Sequence, residues 1–141
     1  MGKLAERLGD PARAGIYRVE TTEALEEASA LNGYTLLRVR LNAESDVGAL
    51  TRLAAEPSLD GCVALISGFE AHFRDRAAQR AALLAALALA AEGWRARGAR
   101  VFVAFFDPDR ELHGLAPLYN WHKSRSRPQA GSPRRSTTTS A

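Results

Sequence analysis

Two uncharged runs bracket the most strongly patterned stretch of this chain. Gly61-Cys62-Val63-Ala64-Leu65-Ile66 comes first and Val101-Phe102-Val103-Ala104-Phe105-Phe106 second, with an alanine- and leucine-rich segment between them that ends at Trp94-Arg95-Ala96-Arg97-Gly98. Apolar runs of strand length, without polar alternation, fit parallel strands whose two faces both meet protein. The pattern predicts a βαβ unit. Its helix should run from about Asp75 to Arg97, with Leu84, Leu87, Ala91 and Trp94 along one face and Gly98 ending it. Phe69 and Phe73 fall in the connection before that helix, whose first part reads as loop.

The earlier chain carries weaker versions of the same alternation. Lys3 to Leu8 predicts one or two helical turns, stopped by Gly9-Asp10-Pro11, and Gly15 to Val19 predicts a strand. Thr21 or Thr22 then caps a helix with Glu23 near its positive end, Leu25, Ala28 and Leu31 at helical spacing, and Asn32-Gly33 closing it. A second strand is expected from Tyr34 to Leu41. Tyr34, Leu36, Val39 and Leu41 face inward in this reading, and Arg38 and Arg40 outward, charges that place it near the sheet edge. The next helix begins within Asn42 to Asp46, carries Val47, Leu50 and Leu53, and ends at Glu56-Pro57. After the last strand, Asp107-Pro108-Asp109 reads as a turn or as the start of a short helix, with Leu112, Leu115 and Leu118 packing back on the sheet. The order β-α-β-α-β-α-β specifies an α/β fold, a small parallel sheet of three to four strands covered by helices.

Charge divides the chain in two. The net +3 arises at the end, where residues 123–141 hold Lys123, Arg125, Arg127, Arg134 and Arg135 and no acid. Residues 1–122 then carry 14 basic and 16 acidic side chains. Residues 1–122 read as one α/β domain, and the Ser-, Arg- and Thr-rich 123–141 as a disordered tail. The lone Cys62 falls inside a strand run, where it reads as a small buried hydrophobe. The longest apolar stretch, Ala81 to Ala91, is too short to span a bilayer, and no segment reads as a signal peptide. A soluble, cytoplasmic protein without a membrane partner is the expectation.

Chemistry is sparse. Open parallel sheets bind ligands beyond the carboxyl ends of their strands, an edge that here carries Asn42, Ser67-Gly68 and Asp107. Asp107, Asp109 and Glu111 with His113 could form an acidic or metal site, but the same residues fit a capped helix start more simply. His72, His113 and His122 are scattered, and no nucleophile elbow, dinucleotide fingerprint or phosphate loop is present. Neither catalysis nor a cofactor nor a metal is expected. Phe69, Phe73, Trp94, Phe102, Phe105 and Phe106 read as core, whereas Trp121-His122-Lys123 is either a terminal anchor or an exposed contact. The tail could hold RNA through charge alone, though no aromatic residue after Trp121 offers a stacking surface.

Several strings resemble the barstar family of intracellular inhibitors of barnase-type ribonucleases, especially bacterial members with an extra N-terminal β–α unit. They are Asp10-Pro11-Ala12-Arg13-Ala14-Gly15-Ile16-Tyr17, Val63-Ala64-Leu65-Ile66-Ser67-Gly68-Phe69-Glu70, the helix end Trp94 to Gly98, and Phe106-Asp107-Pro108-Asp109-Arg110 through Leu118-Tyr119. The resemblance covers roughly residues 4–119 and implies a protein-binding module that acts by surface complementarity. One departure is plain. The family's short acidic helix, which plugs the ribonuclease active site, has no counterpart, because Leu53-Ala54-Ala55-Glu56 passes directly through Pro57-Ser58-Leu59 to Asp60-Gly61. Glu56, Asp60, Glu70 and Asp75 are the carboxylates left near the corresponding face, interspersed with Arg74, Arg76 and Arg80. They are the expected partner-binding residues, in an inhibitor or in an immunity or regulatory protein derived from one. Two other readings compete. A regulatory domain resembling the STAS family would share the element order but lacks its phosphorylatable turn, and a weak RNA-binding protein would rely on the tail.

Overall fold

The two uncharged runs become the centre of a sheet because only there are both faces of a strand shielded from water. In this computed structural model, which describes residues 2–119, they are β3 (Cys62–Ser67) and β4 (Val101–Phe106), each with five consecutive buried residues. β1 (Gly15–Val19) pairs with the outer side of β4, and β2 (Thr35–Arg40) with the outer side of β3. All pairings are parallel, and the order is β1-β4-β3-β2.

That order dictates the layers. From β2 to β3 to β4 the chain steps in one direction, so right-handed crossovers put their helices on one face. From β1 to β2 it crosses the whole sheet the other way, and its helix belongs on the opposite face. Accordingly α3 (Glu44–Ala54), α4 (Phe69–His72) and α5 (Ala77–Ala96) share a core with Ala64, Ile66, Val103 and Phe105. α1 (Gly2–Leu8) and α2 (Glu23–Leu31) share the other with Val63, Leu65, Phe102 and Ala104. The expected α/β sheet has four strands.

Local details depart from the sequence reading for definite reasons. Leu31 is 66% exposed, because each three-residue step along a helix rotates the side chain backward by about 60°. The buried positions of α2 are instead Leu25, Ala28 and Ser29, whose hydroxyl donates to the Leu25 carbonyl at 2.7 Å. Thr22 holds the N-cap position but its side chain makes no capping hydrogen bond. In α5 the buried face begins at Leu83 and not at Leu84, and continues through Leu87, Ala91 and Trp94. The inward residues of β2 divide between the two cores, Tyr34 and Leu36 with α1 and α2, Val39 and Leu41 with α3 and α5, since each face of β2 packs in part against one helix layer. The connection before α5 begins not as loop but as α4, with Phe69 in it and Phe73 in the turn just after it, both buried, and the Phe69 ring centre lies 4.7 Å from that of Phe105.

The two sheet edges end differently. Residues 115–118 lie along β1, where the Arg18 N–H donates to the Ala116 carbonyl at 3.0 Å and the Leu118 N–H to the Arg18 carbonyl at 3.0 Å. The edge of β2 has no such cover among the described residues. The tail 123–141 and Trp121-His122-Lys123 lie outside the described residues.

Gly68 makes the turn from β3 into α4 possible. Its φ is +76°, and a Cβ there would sit 3.1 Å from the Leu41 carbonyl oxygen, which belongs to backbone and cannot step aside. Gly68→Ala is expected to lower stability by about 2 kcal/mol in urea denaturation. An unchanged midpoint would contradict the turn geometry.

Candidate protein-binding face

α3 and α5 lie side by side on one face, and the residues between them are small. Ala86, Ala90 and Gly93 on α5 and Ala54 on α3 leave a trough where larger side chains would have met. The trough measures about 410 Å³, with Leu87 and Trp94 in its wall and Leu89, 71% exposed, among its lining residues. A second hollow of about 260 Å³, lined by Glu44, Val47, Phe73, Gln79 and Leu83, continues it toward the start of α5. Thr51 and Ala86 line both, so the two form one apolar groove along the helix pair.

The ends of the groove carry charge of both signs. Glu56, Pro57 and Arg97 close one end. At the other, the Glu44 carboxylate lies 3.2 Å from Arg76 and 3.9 Å from His72, whose ring meets Phe73 edge-on at 4.7 Å. Asp46 fixes the approach to α3, its Oδ2 accepting the N–H groups of Asn42 and Ala43 at 2.9 Å each.

The four carboxylates singled out from sequence do not converge. Glu56 and Asp60 precede β3, whereas Glu70 and Asp75 follow it, so a six-residue strand of roughly 20 Å lies between the pairs. Of the four, Glu56 lines the groove and accepts from the Ser58 hydroxyl at 2.8 Å. Asp60 serves the sheet: it accepts the Arg100 N–H at 2.7 Å with the Arg100 guanidinium 3.6 Å away, and this holds its carboxyl below the usual range. Glu70 pairs with Arg80 at 3.1 Å, and the Arg80 guanidinium lies over the Phe69 ring at 5.2 Å. Asp75 is exposed in the turn before α5.

Sequence reasoning passed over Leu89, Ala86 and Gly93, although a signal was present. Ala81 to Ala91 has no charge over eleven residues, three helical turns, so its outward side as well as its core side must be apolar. The acidic turn after β4 proves structural. Asp107 is 3% exposed, and its carboxylate accepts the N–H groups of Glu111 at 2.8 Å and Leu112 at 2.9 Å, capping a turn and not a helix. Among the described residues no group of three His, Cys, Asp or Glu side chains is placed to hold a metal ion. Cys62 is buried, and that burial pushes its thiol pKa up, away from the reactive thiolate. No described helix is long and apolar enough to cross a membrane. Comparison with protein-family models, with curated proteins and with solved structures finds no match to this chain.

Proposed function

We propose that this chain is a protein-binding module of the barstar kind, a ribonuclease inhibitor or an immunity or regulatory protein derived from one. Its partner is a barnase-type ribonuclease seated along the α3–α5 groove. The observation that carries the reading is the continuous apolar groove with Leu89 exposed on it, a surface that costs free energy in water and regains it under a partner. The resemblance over residues 4–119 supplies the class of partner. The groove also shapes the mechanism. Its ends mix Glu56 with Arg97 and Glu44 with Arg76, so affinity comes from covering apolar surface and only secondarily from carboxylates presented to a cationic enzyme.

Calorimetric titration against a barnase-type ribonuclease should give a complex at micromolar concentration. Leu89→Asp, which places an unpaired carboxylate in the contact, should weaken it at least about tenfold. The same substitution should leave thermal stability nearly unchanged, because Leu89 is exposed. No complex at that concentration, or a complex indifferent to Leu89→Asp, would overturn the proposal.

A further inference from the structure

The register of β2 on β3 leaves half of the β2 backbone facing away from the sheet. The Thr35 N–H donates to the Gly61 carbonyl at 3.0 Å and the Leu41 N–H to the Ser67 carbonyl at 2.9 Å. In a parallel pair the N–H and C=O of one residue point to the same side, so the odd-numbered residues from Thr35 to Leu41 are turned toward β3. The N–H and C=O groups of Leu36, Arg38 and Arg40 therefore point outward. Among the described residues no hydrogen bond reaches them. The opposite edge, at β1, is covered by residues 115–118, which makes β2 the open edge of this sheet.

Charge decides what can pair there. Arg38 and Arg40 project on the same side of the strand, two residues apart. Arg38 forms an ion pair with Glu26, but the Arg38 and Glu26 side chains are 60% and 36% exposed, so the pair holds weakly. Arg40 is exposed and has no ion pair or hydrogen bond among the described residues. A second copy adding its own β2 would set arginine rows against each other, which is destabilising for directly opposed like charges. The basic 123–141 segment meets the same repulsion. A strand with carboxylates at alternate positions gains where those two lose, and apolar residues between its carboxylates would lie beside Leu37 and Val39. We propose that the open edge of β2 is a strand-addition site for an extended acidic segment of a partner protein.

This surface is separate from the α3–α5 groove and does not depend on the ribonuclease reading. The test follows backbone amides of the full chain by NMR during titration with a short peptide alternating Glu and Val. The amides of Leu36, Arg38 and Arg40 should shift and gain protection from hydrogen exchange. A peptide alternating Lys and Val should not bind, nor should the Glu-Val peptide N-methylated at alternate residues, which keeps its charge but loses its donors. Replacing Arg38→Glu and Arg40→Glu together should weaken the Glu-Val peptide roughly tenfold and admit the Lys-Val peptide. Arg40→Ala alone should show a smaller loss, and both positions are exposed, so folding should persist. Four outcomes overturn the proposal: no binding of the Glu-Val peptide at millimolar concentration; equal binding of the Lys-Val or N-methylated peptide; shifts confined to α3 and α5; or concentration-dependent protection of β2 without peptide, the signature of self-pairing.

Discussion

Trp94→Ala is expected to lower the unfolding free energy by about 4 kcal/mol, the cost typical of emptying a buried aromatic site. Trp94 is 2% exposed and among the largest side chains buried in this fold, on the inward face of α5 with Leu83, Leu87 and Ala91. Collapse around the vacated volume is restricted on both sides. The groove beside it is already lined by residues too small to move in, Ala86, Ala90 and Gly93. The backbone below is pinned, since the Trp94 carbonyl accepts the Ala99 N–H at 2.8 Å where Gly98, at φ +71°, reverses the chain toward β4. A cavity opening into an existing trough admits water next to Leu87, so the loss should approach the full transfer cost. Urea denaturation followed by far-UV circular dichroism would measure it, and a shift below about 1 kcal/mol would mean that Trp94 is not packed as described. Trp94→Phe, which keeps most of the apolar volume, should recover more than half of the loss. The groove wall should suffer with the core, so a complex of the proposed kind should weaken together with stability, whereas Leu89→Asp should weaken it while sparing stability.

What the sequence made legible follows from how asymmetric each segment is. β3 and β4 were readable because six-residue runs without charge have few alternatives, and Arg38 and Arg40 marked β2 as lying near the sheet edge. α5 was readable as a helix but not in rotation. Alanine is indifferent to burial, so Leu83 and Leu84 competed for the inner position on nearly equal terms. For the same reason the outward apolar side of α5, and with it the groove, left only the length of the uncharged run as a trace. The four carboxylates were assigned to one face by the resemblance and by their closeness in sequence, yet β3 passes between them and carries the second pair to the other end of the sheet. Periodicity reports which face a residue takes. It does not report which end of a strand a loop occupies until the strand's direction is known. Of the two readings open for the stretch after β4, a turn or the start of a short helix, the turn is the one found, with the Asp107 carboxylate satisfying N–H groups as expected.

That turn yields the second large effect. Asp107→Ala is expected to cost about 3 kcal/mol, because it strands the buried N–H of Leu112, worth roughly 1–3 kcal/mol without a partner, and releases the part-buried N–H of Glu111, which water reaches and which therefore adds less. The turn is held from both directions, since the Asp107 N–H donates to the Val19 carbonyl at 2.8 Å and so ties the end of β4 to the end of β1. Beyond it, Leu112 is 1% exposed in the α3–α5 core and Leu118 fully buried in the α1–α2 core. The connecting residues are held to β1 by Arg18, whose Nε donates to the Leu115 carbonyl at 3.0 Å and whose guanidinium lies 3.8 Å from Glu20. Loss of the Asp107 carboxylate should therefore loosen the whole strap before it unfolds the sheet. Hydrogen exchange should show this order, with protection at Arg18 and Leu118 falling while Val63 and Val103 in the central strands keep theirs. Asp107→Asn should be almost as damaging as alanine, since one carboxamide oxygen can serve one N–H while its NH₂ is turned against the other. Equal stability of Asp107→Asn and the parent would show that one acceptor suffices. Uniform loss of protection across the sheet would show instead that the strap and the central strands unfold as one unit, with the covered edge of β1 as much a part of the core as β3 and β4.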